Sequence, residues 1–139
     1  MILVDTSGLL AALFPDQRRH QEAADVLLEM DGPFVLSPFV LAELDYLITK
    51  LAGVEVEMAL LDDVARGAYR LAEFGAGEVA LAREVIKKYP GLDLGLADAS
   101  LVVLAESLGV RDLLTLDERH FRTVRCPSGE PFRILPADL

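Results

Sequence analysis

Four short apolar runs, each bordered by stretches of helical periodicity, limit what this chain can fold into. They are Ile2-Leu3-Val4, Phe34-Val35-Leu36, Leu113-Leu114-Thr115-Leu116 and a run over 132–135. None alternates polar with apolar residues. Uninterrupted runs of this length suit strands covered on both faces, which occur in parallel sheets wrapped by crossover helices. A fifth segment, 68–74, does alternate and reads as a further strand. Helices are expected over 6–14, 17–30, 38–52, 55–66, 76–88 and 94–108, with a turn of helix over 118–121. Ser37-Pro38 is a strong helix start, with Ser as N-cap and Pro at the first helical position. Asp16 is placed to cap the helix from 17, and Asp93 to cap the one from 94 or to stand behind a site there. Gly53, Gly67 and Gly109 close helices. The alternation of strand and helix implies an α/β fold: a three-layer α/β/α sandwich around a parallel sheet of about five strands. At 139 residues, the whole chain, 1–139, is expected to be a single domain.

Hydrophobic residues make up 53% of the chain, above the usual share for a soluble domain, so part of the apolar surface is expected to be covered by another chain. The apolar runs at 34–42 and 94–105 are too short to span a bilayer, and the N-terminus lacks the basic start and apolar run of a signal peptide. A cytoplasmic protein without membrane association is the simplest reading. Cys126 is the only cysteine, which rules out an intrachain disulfide or a cysteine metal cluster. The net charge of −10 opposes loose electrostatic binding to nucleic acid and suits a cation or a basic partner. Arg111, Arg119, Arg122, Arg125 and Arg133 nonetheless crowd the end of the chain with His120. A solvated surface and a binding role suit them equally.

In open parallel sheets, ligands bind beyond the carboxyl ends of the strands. Asp5 ends the first strand and Asp117 the fourth, so both face one rim. Glu43 has Phe39, Val40, Tyr46 and Leu47 as helical neighbours, and Asp98 has Leu94, Gly95, Leu101 and Val102. Both acids therefore read as lying on apolar stripes, where an unpaired carboxylate is costly. Capping is a competing role for Asp5-Thr6-Ser7 and for Asp117. Asp45 is read as structural. For Glu43 and Asp98 nothing basic is spaced to pair locally, and Lys50 and Arg111 are candidates for distant partners. Taken together, Asp5, Glu43, Asp98 and Asp117 converge as a set whose mutual repulsion calls for a cation. His20 and His120 read as isolated, so the donors are all oxygen. That selects Mg²⁺ or Mn²⁺ over zinc. Thr6, Ser7 and Thr115 supply hydroxyls that orient the carboxylates.

The segments "ILVDTSGLLA", "VLAELDYLI", "LGLADASLVVLAESLG" and "LLTLDERHF" follow one another over nearly the whole chain. In that order the chain resembles the PIN-domain nucleases, and most of all the VapC toxins of bacterial and archaeal toxin–antitoxin pairs. The resemblance places the family's acidic quartet on Asp5, Glu43, Asp98 and Asp117, with supporting hydroxyls at Thr6 and Thr115. It implies a Mg²⁺- or Mn²⁺-dependent endoribonuclease and a homodimer. It also implies neutralisation by a VapB-like antitoxin that inserts a segment, often arginine-bearing, into the acidic site. In-line hydrolysis by such a site leaves a 5′-phosphate and a 3′-hydroxyl. A haloacid-dehalogenase-type phosphohydrolase also begins with an Asp after strand one, but needs a second Asp where this chain has Ser7. A receiver domain fits no better. A catalytically silent binding module with this fold, and a nuclease acting on DNA, are the remaining alternatives.

Overall fold

The computed structural model describes residues 1–139. Five parallel strands form one sheet in the order β3-β2-β1-β4-β5. They are β1 (Ile2–Val4), β2 (Phe34–Leu36), β3 (Arg70–Leu71), β4 (Asp112–Leu114) and β5 (Arg133–Leu135). Seven helices join them: α1 (Thr6–Leu13), α2 (His20–Glu29), α3 (Pro38–Ala52), α4 (Val54–Ala65), α5 (Ala76–Lys88), α6 (Leu96–Leu108) and α7 (Glu118–Thr123). The three-layer α/β/α sandwich expected from the apolar runs is the one observed. The chain moves from β1 outward through β2 to β3, then returns through α5 and α6 to β4 on the other side of β1. Right-handed crossovers put the helices of these two directions on opposite faces.

Register explains why β1 is apolar throughout. Leu3 pairs with Val35 on one side and with Leu113 on the other, and Val4 with Leu36 and Leu114. Ile2, Leu3 and Val4 are all buried, as are Leu9, Val40, Leu44, Leu101 and Val102 on the covering helices. The strand at 68–74 shrinks to Arg70–Leu71, because it lies at the sheet edge with both residues exposed. Two expected caps are not used. The second helix starts only at His20, after Arg19 in the left-handed region (φ 58°), and Asp16 caps nothing. Helix α6 starts at Gly95 as N-cap, with Asp93 exposed and left-handed before it (φ 54°). Ser37 does cap α3, accepting from the Phe39 N–H at 3.2 Å.

Two contacts fix the helices that carry the acids. Helix α1 lies so close to β4 that a Cβ on Gly8 would stand 2.3 Å from the Leu114 carbonyl oxygen and 2.8 Å from the Thr115 nitrogen. Only glycine permits this approach, and it sets Asp5 against the end of β4. At the start of α3, Ser37 and Ser100 are both fully buried, with their hydroxyls 2.7 Å apart. Ser100 donates onward to the Ala97 carbonyl at 2.6 Å. The pair ties the first turn of α3 to the first turns of α6, and so Glu43 to the neighbourhood of Asp98.

Replacing Gly8 with alanine forces backbone apart and is expected to cost about 3 kcal/mol in urea unfolding. At Gly77, on α5, an added Cβ meets nothing within 4 Å. There, in the first turn of α5, Gly77→Ala is expected to stabilise by up to about 0.5–1 kcal/mol, chiefly by reducing the freedom of the unfolded chain. Equal effects at the two sites would contradict the close approach of α1 to β4.

Candidate active site

The order of strands reverses between β1 and β4, and the carboxyl ends of these two neighbours open the crevice where doubly wound sheets bind ligands. Asp5 sits in it directly after β1. It occupies the N-cap position of α1, yet its side chain makes no capping bond. The carboxylate turns instead across the sheet, where Oδ2 accepts from the Thr115 hydroxyl at 2.7 Å and from the Ser7 hydroxyl at 3.2 Å. Capping is thus not the role of Asp5-Thr6-Ser7. Ser7 also accepts from the Leu116 N–H at 3.0 Å, and Thr6 donates to Glu43 Oε1 at 2.6 Å.

Thr115 links the two strand ends. Its hydroxyl donates to Asp5 and accepts from the Asp117 N–H at 3.0 Å. Asp117 caps α7, accepting from the His120 N–H at 3.1 Å through Oδ1, and leaves Oδ2 facing the crevice. The capping role weighed for Asp117 is thus the one observed. Asp98, in the first turn of α6, accepts from the Gly95 N–H at 3.4 Å. That turn is the positive end of the helix dipole, a favourable place for a carboxylate.

All four acids named from the sequence approach one rim. They differ in environment. Asp5 is only 5% exposed, and burial, with the charge of Asp98 adding to it, pushes its carboxyl up to about 6 against the pull of Thr115 and Ser7. Asp98 is half-buried and is also raised, first by burial and then by Asp117 and Glu43, with His120 opposing. Glu43 departs from expectation. It is exposed, because the buried stripe of α3 runs through Val40, Leu44 and Ile48 while Tyr46 is 61% exposed. Glu43 lies beside that stripe, and the bond from Thr6 directs its carboxylate to the rim.

No lysine or arginine pairs with any of the four. Lys50 lies over the Tyr46 ring, and Arg111 binds Glu130 and Glu106. Of the other late arginines, Arg122 is engaged by Glu118 and Asp138, and Arg133 by Asp112. Arg119 is exposed on α7 and unpaired. The nitrogen donor that does reach the cluster is one the sequence reading set aside: the His120 Nδ1 lies 2.9 Å from Asp117 Oδ2 and 3.3 Å from Asp98 Oδ2. His120 is therefore not isolated. Its spacing of three from Asp117 was the available signal, because the two share one turn of α7. Gly8 and the Ser37–Ser100 pair were also missed. Asp98, Asp117 and His120 bring one ligand atom each within 4.8 Å of one another, a set that fits a divalent cation, and Asp5 and Glu43 lie near enough to act on Asp98 through charge.

Comparison with known proteins bears on what this rim does. The PIN domain family matches residues 2–125. Ribonuclease VapC26 of Mycobacterium tuberculosis is 39% identical over 135 residues, which span 97% of this chain and all of that protein. The crystal structure of Mycobacterium tuberculosis VapC20, a sarcin-ricin loop cleaving toxin, superposes with a TM-score of 0.80 at 19% identity, over 90% of this chain and 97% of that one. FitAcB from Neisseria gonorrhoeae matches with a TM-score of 0.53 at 21% identity, over 78% of this chain and 83% of that one. The two structures establish likeness of fold.

The raised Asp5 carboxyl has a signed consequence for stability. The folded state holds this proton more tightly than the unfolded chain, so the group favours folding below pH 4 and that advantage is lost as pH rises through about 6. The loss amounts to roughly 2–3 kcal/mol for a shift of this size. In EDTA, Asp5→Asn is expected to gain stability relative to the parent as pH increases from 4 to 7, and to melt higher than the parent at pH 7. A difference that stays flat across this range would contradict the burial of an uncompensated carboxylate here.

Proposed function

This chain belongs to the PIN-domain family, and we propose that it is the toxin of a toxin–antitoxin pair, a divalent-metal-dependent endoribonuclease. The observation that carries the reading is the convergence of Asp5, Asp98, Asp117 and the Thr6-held Glu43 without a lysine or arginine among them. The likeness over the full length of a named ribonuclease supports the reaction class. In this reading residues 1–139 act as one domain.

Asp5, Asp98 and Asp117 would hold Mg²⁺ or Mn²⁺, with Glu43 binding directly or through water. When bound, such a cation supplies Lewis-acid polarisation of a phosphoryl group and acidifies water for attack on it. The chain's own residues do the placing. Thr115 orients Asp5 and holds the Asp117 backbone, Ser7 braces Asp5 and Thr115, and Thr6 holds the exposed Glu43 inward. Glu43 is the acid most open to solvent among these, which suits it to orient a water beside the phosphodiester. In this reading Arg119, exposed on α7 and without an acidic partner, holds a flanking RNA phosphate.

Partners follow from surface chemistry. A net charge of −10 and an acidic crevice suit an antitoxin segment carrying arginine. Tyr46, Leu51, Val54, Val56, Met58 and Leu61 are exposed together along α3 and α4, and an apolar surface of this kind is covered in a homodimer or by the antitoxin. No helix is long and apolar enough to cross a membrane, and we place the protein in the cytoplasm.

The test is cleavage of structured RNA with Mg²⁺, with Mn²⁺ and with EDTA. Cleavage is expected only with metal, and Asp5→Asn and Asp98→Asn are expected to lower its rate at least about 100-fold while staying folded. Undiminished cleavage in either variant would overturn the assignment of the acids. Arg119→Gln is expected to weaken RNA binding several-fold with little change in turnover, and unchanged affinity would remove Arg119 from the reading.

A further inference from the structure

His120 is the feature of this rim that the acidic-site reading does not use. Its imidazole is 16% exposed, and its Nδ1 faces inward between Asp98 and Asp117. Neither close approach has the direction of a hydrogen bond. Nδ1 is in fact the one buried side-chain nitrogen or oxygen in the chain without a hydrogen-bond partner. A buried ring nitrogen held against two carboxylates needs a proton aimed at one of them or a cation shared with them. The geometry favours the second. Nδ1 and one oxygen of each carboxylate lie within 4.8 Å of one another, and adjacent donors around a six-coordinate cation at ~2.1 Å stand about 3 Å apart. The separations of 2.9 and 3.3 Å match that spacing.

We propose that His120 is itself a metal ligand, completing with Asp98 and Asp117 a set of two carboxylates and one imidazole that selects Mn²⁺ over Mg²⁺. The proposal rests on the metal-site reading above and adds a residue and a preference to it. Mg²⁺ takes oxygen donors and gives up water reluctantly, whereas imidazole nitrogen suits first-row transition cations. The backbone N–H of His120 on Asp117 Oδ1 fixes the turn from which the ring extends, and binding through Nδ1 leaves Nε2 to carry the proton. The site thereby departs from the oxygen-only donor set that the sequence suggests.

The experiment uses tag-free, full-length protein loaded with Mn²⁺. Pulsed electron paramagnetic resonance on bound Mn²⁺ reads directly coordinated nitrogen, and calorimetry gives affinities for Mn²⁺ and Mg²⁺ separately. A nitrogen coupling is expected in the parent and in His20→Gln, the control at the other histidine, and its loss in His120→Gln. The same substitution is expected to weaken Mn²⁺ binding at least tenfold and Mg²⁺ binding less than threefold. Bound Mn²⁺ without nitrogen coupling in the parent would overturn the proposal and leave the carboxylate site standing. A His120→Gln variant that melts lower but keeps the parent's ratio of Mn²⁺ to Mg²⁺ affinity would reduce His120 to a structural role and overturn it as well. Failure of the parent to bind Mn²⁺ at all would overturn the metal-site reading and this proposal with it.

Discussion

The hydrogen bond from Thr115 to Asp5 joins the two strand ends on which the rest of the site is built. It crosses from the end of β4 to the end of β1, the pair where the strand order reverses, and is 2.7 Å long. It exists only because α1 can lie against β4, which the missing side chain of Gly8 allows. The same hydroxyl receives the Asp117 N–H, so one neutral group sets the positions of two acids. A buried carboxylate of this kind is costly, and the push on Asp5 toward about 6 is the measure of that cost. The parallel sheet supplies the rigid frame that keeps the group there.

Much of this was legible in the sequence, for a physical reason. Strands buried on both faces must be continuous apolar runs, so Ile2-Leu3-Val4 and Leu113-Leu114 declare themselves, and an acid at the end of each is conspicuous. Asp98 stands out because it interrupts the most apolar helix. Glu43 was identified for a reason that proved incomplete. The stripe beside it is buried, but the residue lies at its edge and is recruited by Thr6, which is 37 positions away and invisible to helical periodicity. The unused caps at Asp16 and Asp93 show that local chemistry yields to backbone geometry. In both loops a residue other than glycine takes the left-handed region just before the helix, Arg19 immediately and Asp93 two residues ahead of the Gly95 cap.

What the sequence hid was tertiary. Gly8 looks like an ordinary helix residue until β4 is placed beside it. Ser37 and Ser100 are separated by 63 positions and meet only in the fold. His120 belongs to a helix of six residues, too short for a periodic pattern to say which way its ring faces. Its isolation in sequence and its position between two acids in space are both consequences of α7 being a single turn or so, closed by its own N-cap.

Charge and structure are handled by different groups in this crevice. Four acids that repel one another cannot hold each other in place, so their positions must come from elsewhere. They come from neutral donors: the hydroxyls of Thr6, Ser7 and Thr115, and the backbone N–H groups of Gly95, Asp117 and His120. A hydroxyl or an amide can aim a carboxylate without cancelling its charge. Arginines in the same places would have stabilised the fold more and erased the field. Two of the late arginines are instead committed to other acids, Arg122 to Glu118 and Asp138, and Arg111 to Glu106 and Glu130, while Arg119 pairs with none of the four. The crevice is therefore preorganised and still strongly negative, the condition under which a small cation, or the guanidinium of a partner chain, meets its ligands already in position.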